Sequence, residues 1–534
     1  MLRPRFTRGG MVALVAATSL AMSACESLDT KHPVGTIGHV KGFAGAVAAD
    51  EPRAVLAGRD VLSAGGTAVD AAVAMYFVMA VTYPSGASLG GGGSCIVHDN
   101  GKKKTEVLDF PAIASVAASP LPSAVPANPR GFFALHAKYG SLRFESLLAE
   151  AEKLARGGFP VSRALAADLS RSVAVLGRDP VARSIFFRPD GAVLREGETL
   201  NQSQLAATIS NIRRSTGDFY QGVGARNLVG AYQAAAGSLT LEDMREIRPQ
   251  WRPTLTVRVG DETAHFAPPP AVGSTNAGEL IGMLWSRWDD ASAEERPHLL
   301  AEASARAFAD RARWMQPNGW TTQESAGLLA PEKLKGLMAD YNPDRHVPVS
   351  GVSASPTEQA AGAALVAMDG KGMAVACGVT AYGAFGSGRM APGTGIFIAG
   401  VPGPNGPPAV TIMLSVNHNT NEPHFAGAAT GGGTAPAALV ETFLAATIEH
   451  KSLEEALAAP RLVQPGQPDA AFIESAPQAL DPAPLQRRGH QTNAVTMPSR
   501  VQALHCRDGY KNSETCEVGT DPRGFGMAVS AGKS

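Results

Sequence analysis

The sequence predicts an α+β fold built in layers. Helical segments are bracketed by strands that join through hairpin turns, no repeat of fixed period runs along the chain, and the composition requires a large core. The chain has 534 residues, 44% of them hydrophobic and 18% charged, which marks it as globular rather than disordered. At ~150 residues per domain that length would nominally make three or four domains. The 58 glycines and 38 prolines make it turn-rich, yet below the roughly 25–30% that signals low complexity. Lys and Arg number 47 against 48 Asp and Glu, a net charge of -1, so no basic surplus exists to neutralise a phosphate backbone. Nucleic acid is therefore not an expected partner. Five cysteines are too few for a disulfide-built scaffold, and apolar burial must hold the fold together.

The N-terminus reads as an export signal. Arg3, Arg5 and Arg8 precede an uncharged stretch over residues 11–22, and Ser23-Ala24-Cys25 follows with small residues at a cleavage site. The stretch is too short for a confident membrane span. A Cys directly after two small residues also resembles the bacterial lipobox, although Met22 stands where Leu is more usual. The expectation is a signal over 1–24, lipidation at Cys25 and a tether over 25–39, holding the protein on the periplasmic side of a bacterial membrane. The plainer alternative is an ordinary signal with Cys25 as an incidental thiol. Export permits disulfides. Cys506 and Cys516 flank a polar, turn-rich stretch between two strand patterns, which predicts a hairpin-closing bridge. Cys95 and Cys377 lie in apolar strand-like runs and are expected to be buried small hydrophobes.

The elements follow in order. Asp50 and Pro52 open a helix through Leu62, and Gly65-Gly66 ends it. Asp70 to Val81 is apolar on every side, which predicts a helix buried between layers. After the Gly90-Gly91-Gly92-Gly93 run come two strands joined at Asp99-Asn100-Gly101, the second ending near Leu108. Helical patterns fill about 131–236, and Leu241-Glu242-Asp243 opens another short helix. Strands return at 255–259 and 263–266, then Pro268-Pro269-Pro270 breaks the chain. His298 to Arg313 reads as an amphipathic helix; from Ala363 short strands and Gly-rich turns run to Gly433, followed by a helix and a strand-rich C-terminus.

Several patterns suggest chemistry. Gly86-Ala87-Ser88-Leu89-Gly90 has the spacing of a serine-hydrolase elbow, but that motif needs a strand before and a helix after. Here the order is reversed, and a tight helix-to-strand turn is expected. His418 and His424 sit among Asn417, Asn419, Asn421 and Glu422 in a spacing that fits no common zinc signature, and a solvated hairpin loop is expected there. The other histidines are scattered, so neither a metal nor a cofactor is expected. Asp310 and Arg311 are expected to form a structural ion pair or a solvated face. Gly431-Gly432-Gly433, at a strand-to-helix turn, admits two readings: amides aimed at a developing oxyanion, or a close-packed turn.

Taken together, an ordered string of motifs resembles the gamma-glutamyltranspeptidase family of N-terminal-nucleophile (Ntn) hydrolases. Gly65-Gly66-Thr67-Ala68-Val69-Asp70, the Gly90–Gly93 run, Gly157-Gly158-Phe159-Pro160, Asp218-Phe219-Tyr220-Gln221-Gly222, Leu239-Thr240-Leu241-Glu242-Asp243 and the 298–313 helix carry the first part. Phe385-Gly386-Ser387-Gly388, Pro392-Gly393-Thr394-Gly395, Ala459-Pro460-Arg461 and Asp521-Pro522-Arg523 carry the rest. The resemblance implies a four-layer αββα sandwich in which 40–355 and 356–534 correspond to large and small subunits within one co-folded domain. It also implies self-cleavage that frees a threonine nucleophile, and transfer of a gamma-glutamyl group from glutathione or related amides.

The same resemblance exposes departures. Counting back from Asp369-Gly370, the family's Thr-Thr-His falls on Ala360, Ala361 and Gly362, with Ala360 at the nucleophile; counting back from Phe385 reaches Gly362 instead. Neither has a hydroxyl. The Arg that clamps the donor carboxylate falls on Pro111, followed by Ala112. The acceptors for the donor amino group are replaced by a run from Ala399 to Pro404 that includes Val401, and the serine pair falls near Gly406-Pro407. Gly432 and Gly433 match the paired oxyanion glycines. Three functions follow as expectations: a non-catalytic envelope lipoprotein keeping the sandwich for binding or structure, with a small amide or peptide as the ligand class; an active gamma-glutamyltransferase, glutathione hydrolase or related amidase with a nucleophile shifted to Thr357; and a serine hydrolase using Ser88. The first is favoured, because loss of a nucleophile alone can cost about 10^4 to 10^6 in turnover.

Overall fold

The computed structural model describes residues 44–119, 121–349, 361–402, 410–476 and 478–531, all within the compact unit Gly42–Ser534. Cys25, Thr357, Ala360, Pro404, Gly406 and Pro407 lie outside the described residues. No helix among the described residues is long and apolar enough to cross a membrane.

Two antiparallel sheets form the centre. The first contains β1 (Gly45–Ala49), β2 (Gly92–Asp99), β3 (Lys104–Phe110) and β4 (Gln250–Pro253). In the second, β5 (Leu255–Val259) and β6 (Glu262–Phe266) begin the run. The chain returns to the first with β7 (Ala363–Asp369) and β8 (Ala374–Thr380), then to the second with β9 (Thr411–Asn417), β10 (Pro423–Thr430), β11 (Arg500–Cys506) and β12 (Cys516–Thr520). Finally β13 (Met527–Ala531) closes the first sheet. The strand orders are β13-β1-β7-β8-β2-β3-β4 and β12-β11-β10-β9-β6-β5. Early and late segments thus interleave in both sheets, and neither could complete its sheet alone.

Strand parity sorts the core into seams, since successive side chains point to opposite faces. On the first sheet Val47, Cys95, Val97, Leu365 and Val375 face a helical layer. That layer includes α1 (Pro52–Ser63) and α2 (Ala68–Thr82). Their neighbours Ala46, Ala48, Ile96, Ala364, Val366 and Ala376 face the second sheet, meeting Ile412, Leu414, Ala426, Ala428 and Leu504. On the far side Met413, Phe425, Ala429 and Val501 meet a second helical layer. It includes α3 (Val272–Trp288), α4 (Arg296–Trp314) and α5 (Ala435–Thr447). The result is a four-layer αββα sandwich. Many of the inter-sheet residues are alanines, which lets the sheets approach closely.

Every residue of α2 is buried, as its all-round apolar pattern predicts. Thr67 and Asp70 cap it reciprocally, and Asp70 also accepts from the Ser141 and Leu142 amides. The amphipathic expectation for 298–313 needs correction. Glu302, Arg306, Asp310 and Arg311 are buried along with the apolar residues of α4. Their charges survive burial because partners reach them: Arg306 pairs with Glu302 and Asp340 at 2.7 Å each, and Asp310 pairs with Lys333 at 2.5 Å. Asp310 and Arg311 therefore form no solvated face; Arg311 also stacks over Phe308.

Cys506 and Cys516 are disulfide-bonded across the β11–β12 hairpin. Cys95 and Cys377 are buried as expected, but they are also bonded to each other, which corrects their reading as free hydrophobes. They face one another across β2 and β8, 282 residues apart in sequence. Long-loop cross-links constrain the unfolded chain most. Replacing both with Ser is expected to lower stability by about 2–5 kcal/mol. Equilibrium denaturation of the non-reduced protein reads this, and an unchanged midpoint would count against a formed bridge.

Buried histidines set the acid response. Burial pushes His505 on β11 and His265 on β6 down to about 4, from an ordinary value of 6.5. The unfolded chain binds the extra protons first, so stability present above pH ~6.5 is lost as pH falls toward ~4, on the order of 3 kcal/mol for each. Asp109 acts oppositely, since burial raises its carboxyl to about 6 and the folded state takes up that proton first. Glu441, which burial raises to about 8, acts as Asp109 does, so the histidine contribution is isolated by difference. Between pH 6.5 and 4.5 the denaturant midpoint of His505→Gln is expected to shift less in the destabilising direction than that of the wild type; equal pH profiles in both proteins would refute this origin.

Candidate functional site

The site implied by the motifs lies where β7 begins. Thr380, at the end of β8, donates its hydroxyl to the Ala361 carbonyl at 3.1 Å and accepts from the Tyr382 amide at 3.0 Å. Tyr382 donates its phenol to the Ala112 carbonyl at 3.0 Å, tying the segment after β3 to the same corner. One cleft is bounded by Ala361, Gly362, Thr380, Val410, Thr430 and Gly431. A neighbouring cleft shares Thr380 and Val410 and adds Ser94, Pro111, Ala112 and Tyr382. Ala112, Tyr382 and Val401 belong to one buried apolar cluster. Pro111, Ala112, Val401 and the approach to β7 are thus brought into one region.

The hydroxyls there are committed to the fold. Ser94 donates to Asp109 at 2.6 Å, and Asp109 is paired with Arg252 at 3.1 Å. Thr430 accepts from Arg500 at 3.3 Å. None of the described residues lining either cleft is charged. A side chain at Gly362 has little room, because its Cβ would lie 2.8 Å from the Val379 carbonyl oxygen.

Gly431 adopts φ 121° and Gly432 φ 63°, left-handed conformations that favour glycine. A Cβ on Gly431 would meet Ser499 Cα at 2.3 Å, so close packing also selects glycine there. Gly431 lines the cleft, whereas Gly432–Thr434 form a single 3-10 turn leading into α5. Gly433 borders a small cavity on the helical side with Asn276 and Ser304.

Sequence reasoning missed the charges behind this corner. Asp50 pairs with Arg500 at 3.5 Å and accepts from the Ala364 amide and the Gln502 side chain, at 2.8 Å and 3.1 Å. Burial raises the Asp50 carboxyl despite Arg500. Tyr83, Asp50 and Asp168 hold the Arg500 guanidinium above its ordinary range. Asp50 had a local signal only as a helix start, and Arg500 had none.

The remaining candidates separate. Ser88 is buried, accepts from the Gly90 amide at 3.2 Å within its turn, and donates to the distant Phe397 carbonyl at 3.0 Å, so its hydroxyl ties the turn to the fold. His418 lies in the β9–β10 turn against Arg258, while His424 sits in β10 against Glu262. They do not form one loop cluster. Metal-ligand spacing occurs elsewhere, at His298, Glu302 and His490, whose donor atoms lie within 4.8 Å of one another.

A family model described as gamma-glutamyltranspeptidase matches residues 54–399. Glutathione hydrolase proenzyme of Pseudomonas aeruginosa is 30% identical over 413 residues, covering 72% of this chain and 70% of that protein. Glutathione hydrolase 3 of Arabidopsis thaliana is 34% identical over 307 residues; the match spans 54% of this chain and about half of that relative, 48%. Cephalosporin acylase from Bacillus halodurans shares the fold, with a TM-score of 0.77 at 24% identity over 94% of this chain and 98% of its own.

Proposed function

The chain belongs to the gamma-glutamyltranspeptidase family, and from that premise we propose that it is a member without the family's amide chemistry, retained in the bacterial envelope as a binding or structural lipoprotein. One observation carries the reading: the corner where the resemblance puts nucleophile and donor clamp is walled, among the described residues, by glycine, alanine, proline, valine and already bonded hydroxyls. Acyl transfer by an Ntn hydrolase needs a hydroxyl activated by its own free amine. Ala360, Ala361 and Gly362 offer none. Recognition of a glutamyl carboxylate favours a bidentate guanidinium, and Pro111 stands in its place. A small amide or peptide is the ligand class that the resemblance carries over.

The envelope assignment rests on the signal pattern before Cys25, and the two disulfides support it because such bonds persist in oxidising compartments. The intact mass of the mature protein tests both halves. A single chain beginning at Cys25 and carrying lipid mass is expected, with that mass lost in Cys25→Ala. Two fragments, the second starting between residues 355 and 362, would overturn the loss of self-cleavage and favour a nucleophile such as Thr357.

A further inference from the structure

A second cluster of chemistry-bearing side chains lies in the helical layer against the second sheet. His298 and Glu302 are one turn apart on α4 and fully buried. His490, 4% exposed, precedes the strand Thr492–Val495, and His346 follows α4 by a long connection. His298 Nδ1 is 2.7 Å from His490 Nε2, and His346 Nδ1 is 2.5 Å from Glu302 Oε1. His490 Nε2 is also 3.6 Å from that same Glu302 oxygen.

The outer contacts fix where protons sit. His298 Nε2 is 2.8 Å from the Asn342 carbonyl, which can only accept, so Nε2 carries the proton and Nδ1 presents a lone pair inward. His346 lies between two carboxylates, with Nε2 3.0 Å and 3.2 Å from the oxygens of Asp469 and Nδ1 2.5 Å from Glu302 Oε1, so it donates from both nitrogens and holds Glu302 in place. The other Glu302 oxygen accepts from Arg306 at 2.7 Å. His490 Nδ1 is buried with no hydrogen-bond partner, so no outer acceptor holds a proton there. The lone pairs of His298 Nδ1 and Glu302 Oε1 therefore meet at His490 Nε2, and these three donor atoms lie within 4.8 Å of one another. Imidazoles whose outer N–H is donated to a carbonyl or carboxylate are the usual arrangement around a metal ion.

We infer that His298, His490 and Glu302 form a binding site for a divalent transition metal of the zinc class. Two nitrogens and one oxygen, without thiolate, suit zinc or its neighbours rather than calcium or magnesium, which take oxygen ligands. A tetrahedral ion with bonds of roughly 2.0–2.1 Å needs its donors about 3.3 Å apart, so the His298–His490 contact opens by less than ~1 Å on binding. The ion would join α4 to the segment bearing His490, with His346 and Arg306 holding Glu302 in place.

The test uses full-length protein purified without chelator. Elemental analysis is expected to find about one zinc-class ion per chain. After chelation, zinc chloride should raise the melting temperature by several degrees and magnesium chloride should not. Asp469 is partly exposed, so Asp469→Asn should fold and bind zinc roughly 10–100-fold more weakly. The double variant His298→Gln, His490→Gln should retain no metal. Protein that holds no metal and does not respond to zinc, or that binds zinc equally well in Asp469→Asn, would overturn the inference and leave the cluster as a proton-bridged network.

Discussion

Purified protein is expected to release product from a gamma-glutamyl anilide at least about 10^4-fold more slowly than an active relative assayed alongside it. Missing the nucleophile alone accounts for a factor of that size. Each absent charge-assisted contact to the donor removes a further ~1.5–3 kcal/mol. These losses do not add cleanly, since a clamp is worthless to turnover without a nucleophile, so the floor rather than the sum is the prediction. The surviving hydroxyls cannot make up the difference where they stand: Thr380 gives its proton to the Ala361 carbonyl, and Ser88 gives its proton to Phe397. Thr357→Ala and Ser88→Ala should each leave the residual rate unchanged. A measurable rate abolished by Thr357→Ala would instead assign an active amidase with a displaced nucleophile. A fluorophosphonate label on Ser88 would revive the serine-hydrolase reading.

What was legible in the sequence was local or serial. The uniform apolarity of 70–81, the Asp99-Asn100-Gly101 turn and the ten-residue spacing of Cys506 and Cys516 each have a local cause, and each appears in the fold. Pro111 and Gly362 could be placed near one another because motif order set their positions along a known chain path. Pairings that depend on sheet order were invisible. Cys95 meets Cys377 only because β2 and β8 are neighbours, and nothing near either cysteine encodes that. The helix at 298–313 carries a polar stripe that ordinarily faces water; here Lys333, from the later helix Pro331–Leu337, and Asp340 just after it reach back and let the stripe be buried. His298 and His490 failed every spacing test for a metal because each comes from a different segment. Spacing signatures detect ligands clustered in sequence, and this cluster exists only in space.

Asp521→Ala is expected to destabilise the protein by about 3–5 kcal/mol, although Asp521 touches no part of the proposed pocket. Arg461, 1% exposed, is among the largest fully buried side chains. It donates to the Ala438 and Leu457 carbonyls at 3.1 Å and 2.9 Å and pairs with Asp521 at 3.3 Å. Arg523 pairs with the other Asp521 oxygen at 3.0 Å and with Glu474 at 2.5 Å. Two guanidiniums therefore share two carboxylates in the interior. Removing Asp521 takes the paired carboxylate from buried Arg461, and also leaves the Val501 amide, which donates to Asp521 at 3.2 Å, without its acceptor. The cost arises from the orphaned charge more than from the lost contact. Asp521→Asn, which keeps an acceptor for Val501, should cost less. The contrast is Arg487→Ala, which breaks a pair with Glu294 on the surface and should change stability by less than about 1 kcal/mol. Denaturant midpoints for the three variants decide the matter. Equal small shifts for Asp521→Ala and Arg487→Ala would mean that water reaches the network.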